Sequence, residues 1–303
     1  MLFYRLPGDP ADDFEPGSTT FYSANPVDHI PGSRNGVRTV TSLYVDSHCH
    51  LVPGIDDGAG SYDEALEMAE ALAAAGFAKV WCTPHRIAGA YDVDPFDITT
   101  LVEELQQRVT SAGIPLLLAP ATEYYFDEFL LSALANPLLI ENNQLLVELP
   151  PSAMPAVVPD VLSQVLRSGY TPLIAHPERS PAFALPESSA SGSFSLLETL
   201  RALVTGRKRE EPVSETELPP LLLQLRSMGC RFQGNIGSFA GVYGDLVREN
   251  ALLFLREGVY DCLGSDAHRP NQLSVWLTEG LGVVQEVVGP TGLKRLLRQG
   301  GRR

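Results

Sequence analysis

Two histidines near residue 50 are placed so that both could bind one metal ion. His48 and His50 follow a short apolar run, 43–45, and are separated by a single residue. In an extended strand, residues two positions apart point to the same side, so both imidazoles can converge on one point. Asp57 follows on a glycine-bounded loop that can fold back over that point. This spacing predicts the beginning of a metal site.

Almost all candidate ligands, these two histidines included, share one position relative to the predicted strands. Eight candidates lie at or just after the C-terminal end of a predicted strand: His48, His50, His85, Glu123, Glu148, His176, Asp266 and His268. In α/β barrels this end of the strands carries the chemistry, and scattered core histidines would not all choose it. With Asp57 the set has nine groups, too many for one tetrahedral ion. They suit two or three divalent ions with bridging carboxylates, and such mixed ligands accept Mn, Fe, Zn or Mg.

The charge of such a site indicates what it would bind. Three divalent ions would more than balance the four carboxylates, which makes a cationic pocket in a protein of formal net charge −15. A cationic pocket attracts a dianion such as a phosphate monoester, and divalent ions lower the pKa of bound water. Arg179 follows His176 in a His-Pro-Glu-Arg turn and is interpreted as a phosphate fork rather than a surface partner of Glu178. Asn235 ends the sixth predicted strand, where it either donates to a phosphate oxygen or forms an ordinary turn.

The strands and helices that must position these groups alternate regularly from residue 43 onwards. Seven strands are predicted, over 43–45, 78–82, 115–121, 144–147, 171–175, 230–233 and 259–263. A helix begins at a capping box at Ser61, and others are predicted over 95–112, 126–135, 155–168, 218–228, 243–257 and 272–288. This alternation predicts an α/β protein with a parallel sheet, most simply a seven-stranded barrel.

Length and composition predict one large domain over 43–289, since α/β barrels commonly reach this size. Residues 1–42 are rich in Pro, Gly, Asp and Ser and are interpreted as an extended, weakly ordered segment, with His29 as a solvated side chain. The alternation of strands and helices stops over 180–216, which predicts a surface insertion. A basic C-terminal tail, 290–303, is expected to fray.

Composition also bears on location and partners. The four cysteines form no CxxC pair and lie in apolar runs, which predicts buried, reduced thiols and a cytoplasmic protein. No secretory leader and no run able to span a membrane is predicted. The acidic charge argues against general nucleic-acid binding, which needs a basic face.

Six segments carry motifs of a known family: His48-Cys49-His50-Leu51-Val52-Pro53-Gly54-Ile55-Asp56-Asp57-Gly58, Thr83-Pro84-His85, Thr122-Glu123, Val147-Glu148-Leu149-Pro150, Ala175-His176-Pro177-Glu178-Arg179 and Ser265-Asp266-Ala267-His268. In order and approximate spacing they resemble the PHP (polymerase and histidinol phosphatase) superfamily. Within it, they are most similar to the bacterial capsule-type, manganese-dependent tyrosine-protein phosphatases. The resemblance spans roughly 43–285 without the insertion, and the first string is its most specific part. Histidinol-phosphatase relatives tend to have histidine where this chain has Asp57 and Glu148, which favours the tyrosine-phosphatase branch.

The resemblance implies a distorted (β/α)7 barrel of the PHP type with three metal ions, most typically manganese. The implied ligand sets are His48, His50, Glu123 and Asp266; Glu123, Glu148 and His176; and Asp57, His85 and His268. The implied reaction is hydrolysis of phosphotyrosine on a protein, in the regulation of capsular or exopolysaccharide biosynthesis, with a bacterial tyrosine autokinase as partner. In that reaction Arg179 clamps the phosphate, while Asp266 or His268 shuttles a proton to the leaving phenolate. Arg86 stands where the family often has a second histidine, and it is a candidate substrate contact.

Four alternative functions can be compared with the same sequence. A PHP phosphoesterase acting on a small phosphate monoester, such as histidinol phosphate, would use the same ions. A non-catalytic barrel module usually loses ligands, and none is missing from this sequence. A cysteine phosphatase needs Cys-x5-Arg, which none of the four cysteines satisfies. Many amidohydrolases use a carbamylated lysine at a strand end, and none of Lys79, Lys208 and Lys294 ends a predicted strand.

Overall fold

The computed structural model of the protein describes residues 44–184 and 218–298. The predicted N-terminal extension, 1–42, lies outside the described residues, as do 185–216 of the predicted insertion and the tail from 299 onwards. The described start of the insertion forms a short 3-10 turn, Pro181–Phe183, whose Phe183 side chain is buried. That segment is therefore packed against the barrel domain.

The described strands form two parallel sheets. The strands are β1 (Tyr44–Cys49), β2 (Phe77–Cys82), β3 (His85–Arg86), β4 (Leu117–Pro120), β5 (Glu123–Tyr125), β6 (Gln144–Glu148), β7 (Thr171–Ala175), β8 (Arg231–Asn235) and β9 (Cys262–Gly264). One sheet has the order β1-β2-β4, and the other has the order β3-β5-β6-β7-β8-β9. All neighbouring strands pair in parallel, as the alternation of strands and helices predicts.

The second and third predicted strands are each followed by a short strand that was not predicted, which divides the sheet. The chain is interrupted between β2 and β3, where Pro84 has no N–H to donate to a neighbouring strand. It is likewise interrupted between β4 and β5. Pairing continues across both breaks, because Ala121 N donates to Cys82 O at 2.8 Å and Glu123 N donates to Pro84 O at 3.1 Å. The nine strands therefore occupy seven positions.

The first and last strands are joined, which curls the sheets into a barrel. The N–H of Asp266, just after β9, donates to His48 O at 2.7 Å, and His50 N donates to Ala267 O at 3.0 Å. Cys49 and Ala267 also form a parallel bridge. The predicted α/β barrel is confirmed, and the breaks after β2 and β4 are its distortion.

Helices follow the strands, and most lie close to their predicted positions. They are α1 (Tyr62–Ala74), α2 (Pro95–Ser111), α3 (Leu130–Ala133), α4 (Val158–Arg167), α5 (Pro220–Met228), α6 (Ile236–Phe239), α7 (Asp245–Arg256) and α8 (Leu273–Leu296). The predicted N-cap is confirmed at the start of α1, where Glu64 N donates to Ser61 Oγ at 3.2 Å, whereas the Glu64 carboxylate accepts from Gly60 N at 2.8 Å. The third helix is shorter than predicted, and the short helix α6 was not predicted.

The C-terminal segment differs from the expectation of a frayed tail. The last helix is broken at Gly289, whose φ is +71°, and then continues to Leu296. Leu293 and Leu297 are buried, and Leu297 O accepts from Val45 N at 2.8 Å. The prediction was therefore wrong for residues 290–298, because apolar packing against the first strand outweighs the helix-stopping effect of Gly289-Pro290.

The interior of the barrel has its own small apolar core beneath the strand ends. Along β6, Leu145 and Val147 belong to the large core between the sheets and the helices, whereas Leu146 belongs to a separate small cluster. The small cluster consists of Ala121, Ile140, Leu146, Leu173 and Ala175. Because side chains alternate along a strand, a residue two positions beyond a member of this cluster also points into the barrel.

The cysteines are free thiols rather than disulfides, as the sequence predicts. Cys49, Cys82 and Cys230 are buried and Cys262 is partly buried. Burial raises the pKa of Cys230 and of Cys262 to about 12, so neither thiol is ionised at neutral pH. Among the described residues, no helix is long and apolar enough to cross a bilayer.

Replacing Gly280 by Ala is expected to destabilise the fold by about 1–3 kcal/mol, because overpacking a tight contact has costs of this size. A Cβ atom at Gly280 on α8 would lie 2.3 Å from Ile236 O of α6. Gly282 on the same helix has open space, so Gly282→Ala is the matched control and should stabilise by up to about 1 kcal/mol through helix propensity. Urea unfolding midpoints measure both effects, and equal midpoints for the two variants would contradict this packing.

Candidate metal centre

All nine predicted ligands meet at the C-terminal ends of the strands. They form three overlapping groups, within each of which the ligand atoms lie within 4.8 Å of one another: His50, Asp57, His85 and His268; His48, Glu123, His176 and Asp266; and His85, Glu123 and Glu148. His85 and Glu123 each belong to two groups, so the nine side chains make one continuous cluster. No ion is present, and the donor atoms themselves must show whether ions fit.

The grouping differs in detail from the ligand sets that the resemblance implies. His50 groups with Asp57, His85 and His268 rather than with His48. Its Nε2 nevertheless lies 3.0 Å from His48 Nε2, so it borders both groups. Glu148 groups with His85 and Glu123 rather than with His176.

The strands aim these side chains inwards by alternation and by sharp turns. Glu123 and Glu148 lie two residues after Ala121 and Leu146 of the small interior core, so they point into the barrel above it. His176 follows β7 with φ of +30°, and Asp266 follows β9 with φ of +53°. Such left-handed backbone is costly for residues other than glycine and concentrates at functional sites.

Glu123 lies at the middle of the cluster and is fully buried. Its Oε2 atom is 3.0 Å from His48 Nε2 and 3.1 Å from His85 Nδ1. Its Oε1 atom is 3.2 Å from His176 Nε2. One carboxylate therefore faces imidazoles from three strand ends, which is the arrangement of a carboxylate that bridges two ions.

Two polar residues that were not among the nine predicted ligands orient His48 and His50. Gln233 Oε1 lies 3.0 Å from His48 Nδ1, and Asp56 Oδ2 lies 2.7 Å from His50 Nδ1. These contacts occupy the outer nitrogen of each ring and turn both Nε2 atoms into the cluster, as the outer partners of metal-binding histidines do. Sequence reasoning missed both residues, although Asp56 stands beside Asp57 and Gln233 lies two positions before Asn235.

The donor atoms fit divalent ions better than they fit one another. His85 Nδ1 is buried and forms no hydrogen bond within the described part of the chain, although Glu123 Oε2 is close by. A buried nitrogen without a hydrogen-bond partner is costly unless an ion or an ordered water satisfies it. The Nε2 atoms of His48 and His50 also face each other at 3.0 Å, a distance that two ligands of a shared ion would have.

The electrostatics of the cluster also favour additional positive charge. Burial raises the pKa of Glu148 to about 7, and the negative charges of Glu123 and Asp266 add to this rise. Burial alone would lower the pKa of His48, but the charges of Glu123 and Asp266 outweigh it and raise the pKa to about 9. The carboxylates therefore repel one another and hold a cation strongly.

Arg179 lies at the edge of the cluster and pairs with Asp266 rather than with Glu178. Its guanidinium donates a hydrogen bond to Asp266 Oδ2, which also accepts from Asn235 Nδ2 at 2.9 Å. The Arg179 side chain is 29% exposed, whereas that of Asp266 is 2% exposed. The guanidinium is thus in contact with the cluster and still accessible from solvent.

Glu178 has a structural role, and its carboxylate binds groups other than Arg179. Its buried carboxylate accepts from Asn235 N at 2.9 Å, from Ser238 Oγ at 2.8 Å and from the Tyr260 hydroxyl at 3.0 Å. The turn expected at Asn235 is also present, since Asn235 Oδ1 accepts from Gly237 N at 2.8 Å. Asn235 therefore ends β8 in a turn and at the same time directs its amide nitrogen towards Asp266.

Tyr243 completes this edge and was missed by sequence reasoning. The Arg179 Cζ atom lies 4.2 Å from the centre of the Tyr243 ring, a cation–π contact. The Tyr243 hydroxyl accepts from Asn235 Nδ2 at 3.3 Å. Tyr243 lies in the loop between α6 and α7, and no local motif there signals its approach to Arg179.

Arg86 lies beside the cluster rather than in it. It follows His85 on β3 and pairs in register with Tyr124 of β5, so alternation turns its side chain to the other face of the strand from His85. There it lines a cavity of about 430 Å³ with Tyr124 and Tyr125. A smaller space of about 110 Å³ borders Glu148, His176 and Arg179 at the cluster itself.

Comparisons with known proteins agree with this geometry. The family described as "Capsular polysaccharide synthesis, CpsB/CapC" matches residues 44–186. The tyrosine-protein phosphatase YwqE of Bacillus subtilis is 27% identical over 248 residues, covering 81% of this chain and 85% of that protein. The tyrosine-protein phosphatase CpsB of Streptococcus pneumoniae is 22% identical over 260 residues, covering 83% of this chain and 94% of that protein.

A solved structure extends the likeness to the fold. It comes from a study of YwqE from Bacillus subtilis and CpsB from Streptococcus pneumoniae, described as unique metal-dependent tyrosine phosphatases. It is 27% identical, covers 83% of this chain and 90% of its own, and has a TM-score of 0.66. In sequence and fold, this chain is similar to the metal-dependent tyrosine phosphatases YwqE and CpsB.

This relationship confirms the resemblance that the motifs predict. The matched region, 44–186, includes the ligands from His48 to His176 together with Arg179. Asp266 and His268 lie beyond it, and the barrel closure between β1 and β9 brings them to His48 and His50. The whole constellation is therefore assembled from both the matched region and the segment that follows it.

Proposed function

We propose that this protein is a metal-dependent phosphatase that hydrolyses phosphotyrosine on proteins. The observation that carries the proposal is the nine-residue cluster of imidazoles and carboxylates, with Arg179 at its accessible edge. Two or three divalent ions bound there, with manganese as the leading candidate, would supply Lewis-acid activation of water and neutralise the leaving oxygen. The assignment of ligands to individual ions is part of the proposal.

Protein side chains bind and orient the phosphate. Arg179 clamps phosphate oxygens with its planar fork, and Tyr243 holds the guanidinium plane from one side. Asn235 Nδ2 donates to Asp266 Oδ2, the oxygen that Arg179 also contacts, and the proposal includes this amide as a second donor to the phosphate. Arg86 is a substrate contact further out, on the adjacent cavity.

The proton for the leaving phenolate comes from the Asp266–His268 segment. The His268 side chain is 27% exposed, whereas that of Asp266 is 2% exposed and already accepts from Arg179 and Asn235. This exposure favours His268 at the leaving oxygen, with Asp266 as the alternative. Because a phenolate is a fairly good leaving group, a weakly acidic donor is sufficient.

The biological setting comes from the relatives. We propose that the substrate is a bacterial tyrosine autokinase and that the reaction regulates capsular or exopolysaccharide biosynthesis in the cytoplasm. The family description, capsular polysaccharide synthesis, supports the capsular setting, and the names of the relatives support a phosphotyrosine protein as substrate.

Removing the metal is expected to reduce hydrolysis of a phosphotyrosine peptide by at least about a thousandfold, because Lewis-acid stabilisation is worth several kcal/mol. The protein is treated with EDTA, the turnover is measured, and Mn²⁺, Fe²⁺, Zn²⁺ or Mg²⁺ is added back with metal analysis alongside. Turnover that persists in chelator would overturn the proposal. Faster hydrolysis of histidinol phosphate than of the peptide would replace it with a small-molecule phosphatase.

A further inference from the structure

A cavity beside the metal centre lies between the loops that follow β3 and β5. Its volume is about 430 Å³, within the usual range for sites that bind small molecules or single side chains. Ala88 and Asp92 of the first loop and Asp127 and Phe129 of the second contribute to its walls. It is thus at the C-terminal end of the strands, the same face as the metal centre.

Two strand positions place this cavity next to the nine-residue cluster. Tyr125, which lines the cavity, pairs in register with Glu148 of the cluster. Arg86, which also lines it, directly follows His85 of the cluster. The cavity and the cluster are therefore neighbours, and the residues that flank a phosphotyrosine are the parts of a polypeptide substrate nearest to the cavity.

The residues that line the cavity determine which kind of ligand it can bind. Tyr124, Tyr125, Phe129 and Leu130 supply an aromatic and apolar wall. Phe129 is 53% exposed, so this part of the wall is open to a ligand. Charged groups at the cavity are Arg86 with Asp92 and Asp127. A second phosphate would meet two carboxylates against one guanidinium, whereas an apolar side chain meets the aromatic wall.

We propose that this cavity binds an apolar side chain next to the phosphotyrosine of the substrate polypeptide, an inference that rests on the proposed function. Burial of that side chain against Phe129 and Leu130 supplies the binding, and the cavity makes the enzyme selective among phosphotyrosine sites. Small phosphate esters do not reach it. The preference therefore appears only with polypeptide substrates.

The test compares peptides that differ in one residue beside the phosphotyrosine. At each position on either side, leucine or phenylalanine is exchanged for serine, and kcat/KM is measured alongside that for para-nitrophenyl phosphate. The wild-type protein should prefer the apolar residue at one position by about tenfold or more, the effect of burying one apolar side chain.

Phe129→Ala should remove this preference and leave turnover of para-nitrophenyl phosphate unchanged. Ala133→Phe, which adds bulk to another lining residue and so fills the cavity, should have the same effect. Phe96→Ala is the matched control, because Phe96 is 75% exposed and does not line the cavity. It should change none of these values.

The outcomes separate this inference from the proposed function. Hydrolysis of phosphotyrosine peptides with no apolar preference, or an equal loss on peptides and on para-nitrophenyl phosphate in Phe129→Ala, would overturn the cavity assignment alone. A preference that survives both cavity variants would also overturn it. Absence of any phosphotyrosine turnover by the wild-type protein with Mn²⁺ would overturn the proposed function and this inference together.

Discussion

Replacing Glu123 by Gln is expected to abolish phosphatase activity and to release most of the bound metal. The carboxylate is buried at the middle of the cluster and faces His48, His85 and His176 within 3.2 Å. An amide of the same shape removes the negative charge and places an N–H group against imidazole nitrogens. Loss of one carboxylate that is proposed to bind two ions should lower kcat/KM by at least about a thousandfold, because metal catalysis is worth several kcal/mol.

Metal analysis and kinetics on one preparation of the Glu123→Gln variant test this expectation. Glu104→Gln is the matched control, because Glu104 lies on exposed α2 and pairs with Arg108 away from the cluster. Circular dichroism verifies that the barrel has formed in both variants. Full metal content together with full activity in Glu123→Gln would show that this carboxylate is only a structural partner of the histidines.

Replacing Arg179 by Ala should lower kcat/KM by about a hundredfold to a thousandfold while leaving the metal content intact. Removing one donor to a charge that develops in the transition state typically has this effect. Arg179 is within hydrogen-bond distance of Asp266 but is not itself a ligand, so the ions should stay bound. Arg179→Lys keeps the charge and loses the planar fork, so it should recover only part of the rate.

The control for Arg179 is Arg167→Ala, which removes an exposed arginine at the end of α4 and should leave kinetics unchanged. Loss of metal in parallel with loss of rate in Arg179→Ala would contradict a role at the phosphate. It would show instead that the guanidinium acts by holding Asp266 in place.

Patterns local to a strand end were sufficient to predict which side chains meet at one end of the barrel. His48 and His50 share a face because of strand geometry, and the glutamates follow apolar runs whose direction alternation determines. The parallel barrel could be predicted from the alternation of strands and helices alone. These inferences succeed because each depends only on residues within a few positions of one another.

Contacts that depend on the final packing could not be predicted in this way. Gln233 and Asp56 orient ligands through the approach of separate strands and loops, and Tyr243 reaches Arg179 from a loop with no motif. Of the breaks after β2 and β4, only the first is indicated locally, by Pro84. The grouping of ligands around individual ions also depends on ångström-scale positions.

The C-terminal segment is a second case in which packing, rather than the local sequence, determines the structure. Gly289 and Pro290 indicate the end of a helix, and the helix does break there. Leu293 and Leu296 nevertheless lie three residues apart, a helical spacing, and both are buried. Packing of this segment against β1 explains why the chain stays ordered beyond a break that local propensity would make its end.

The closure of the barrel between β1 and β9 has a consequence for how the protein is made. His48 and His50 leave the ribosome early, whereas Asp266 and His268 leave it after most of the barrel. The complete cluster therefore cannot form before the last strand has been synthesised, and full loading with metal must follow that step.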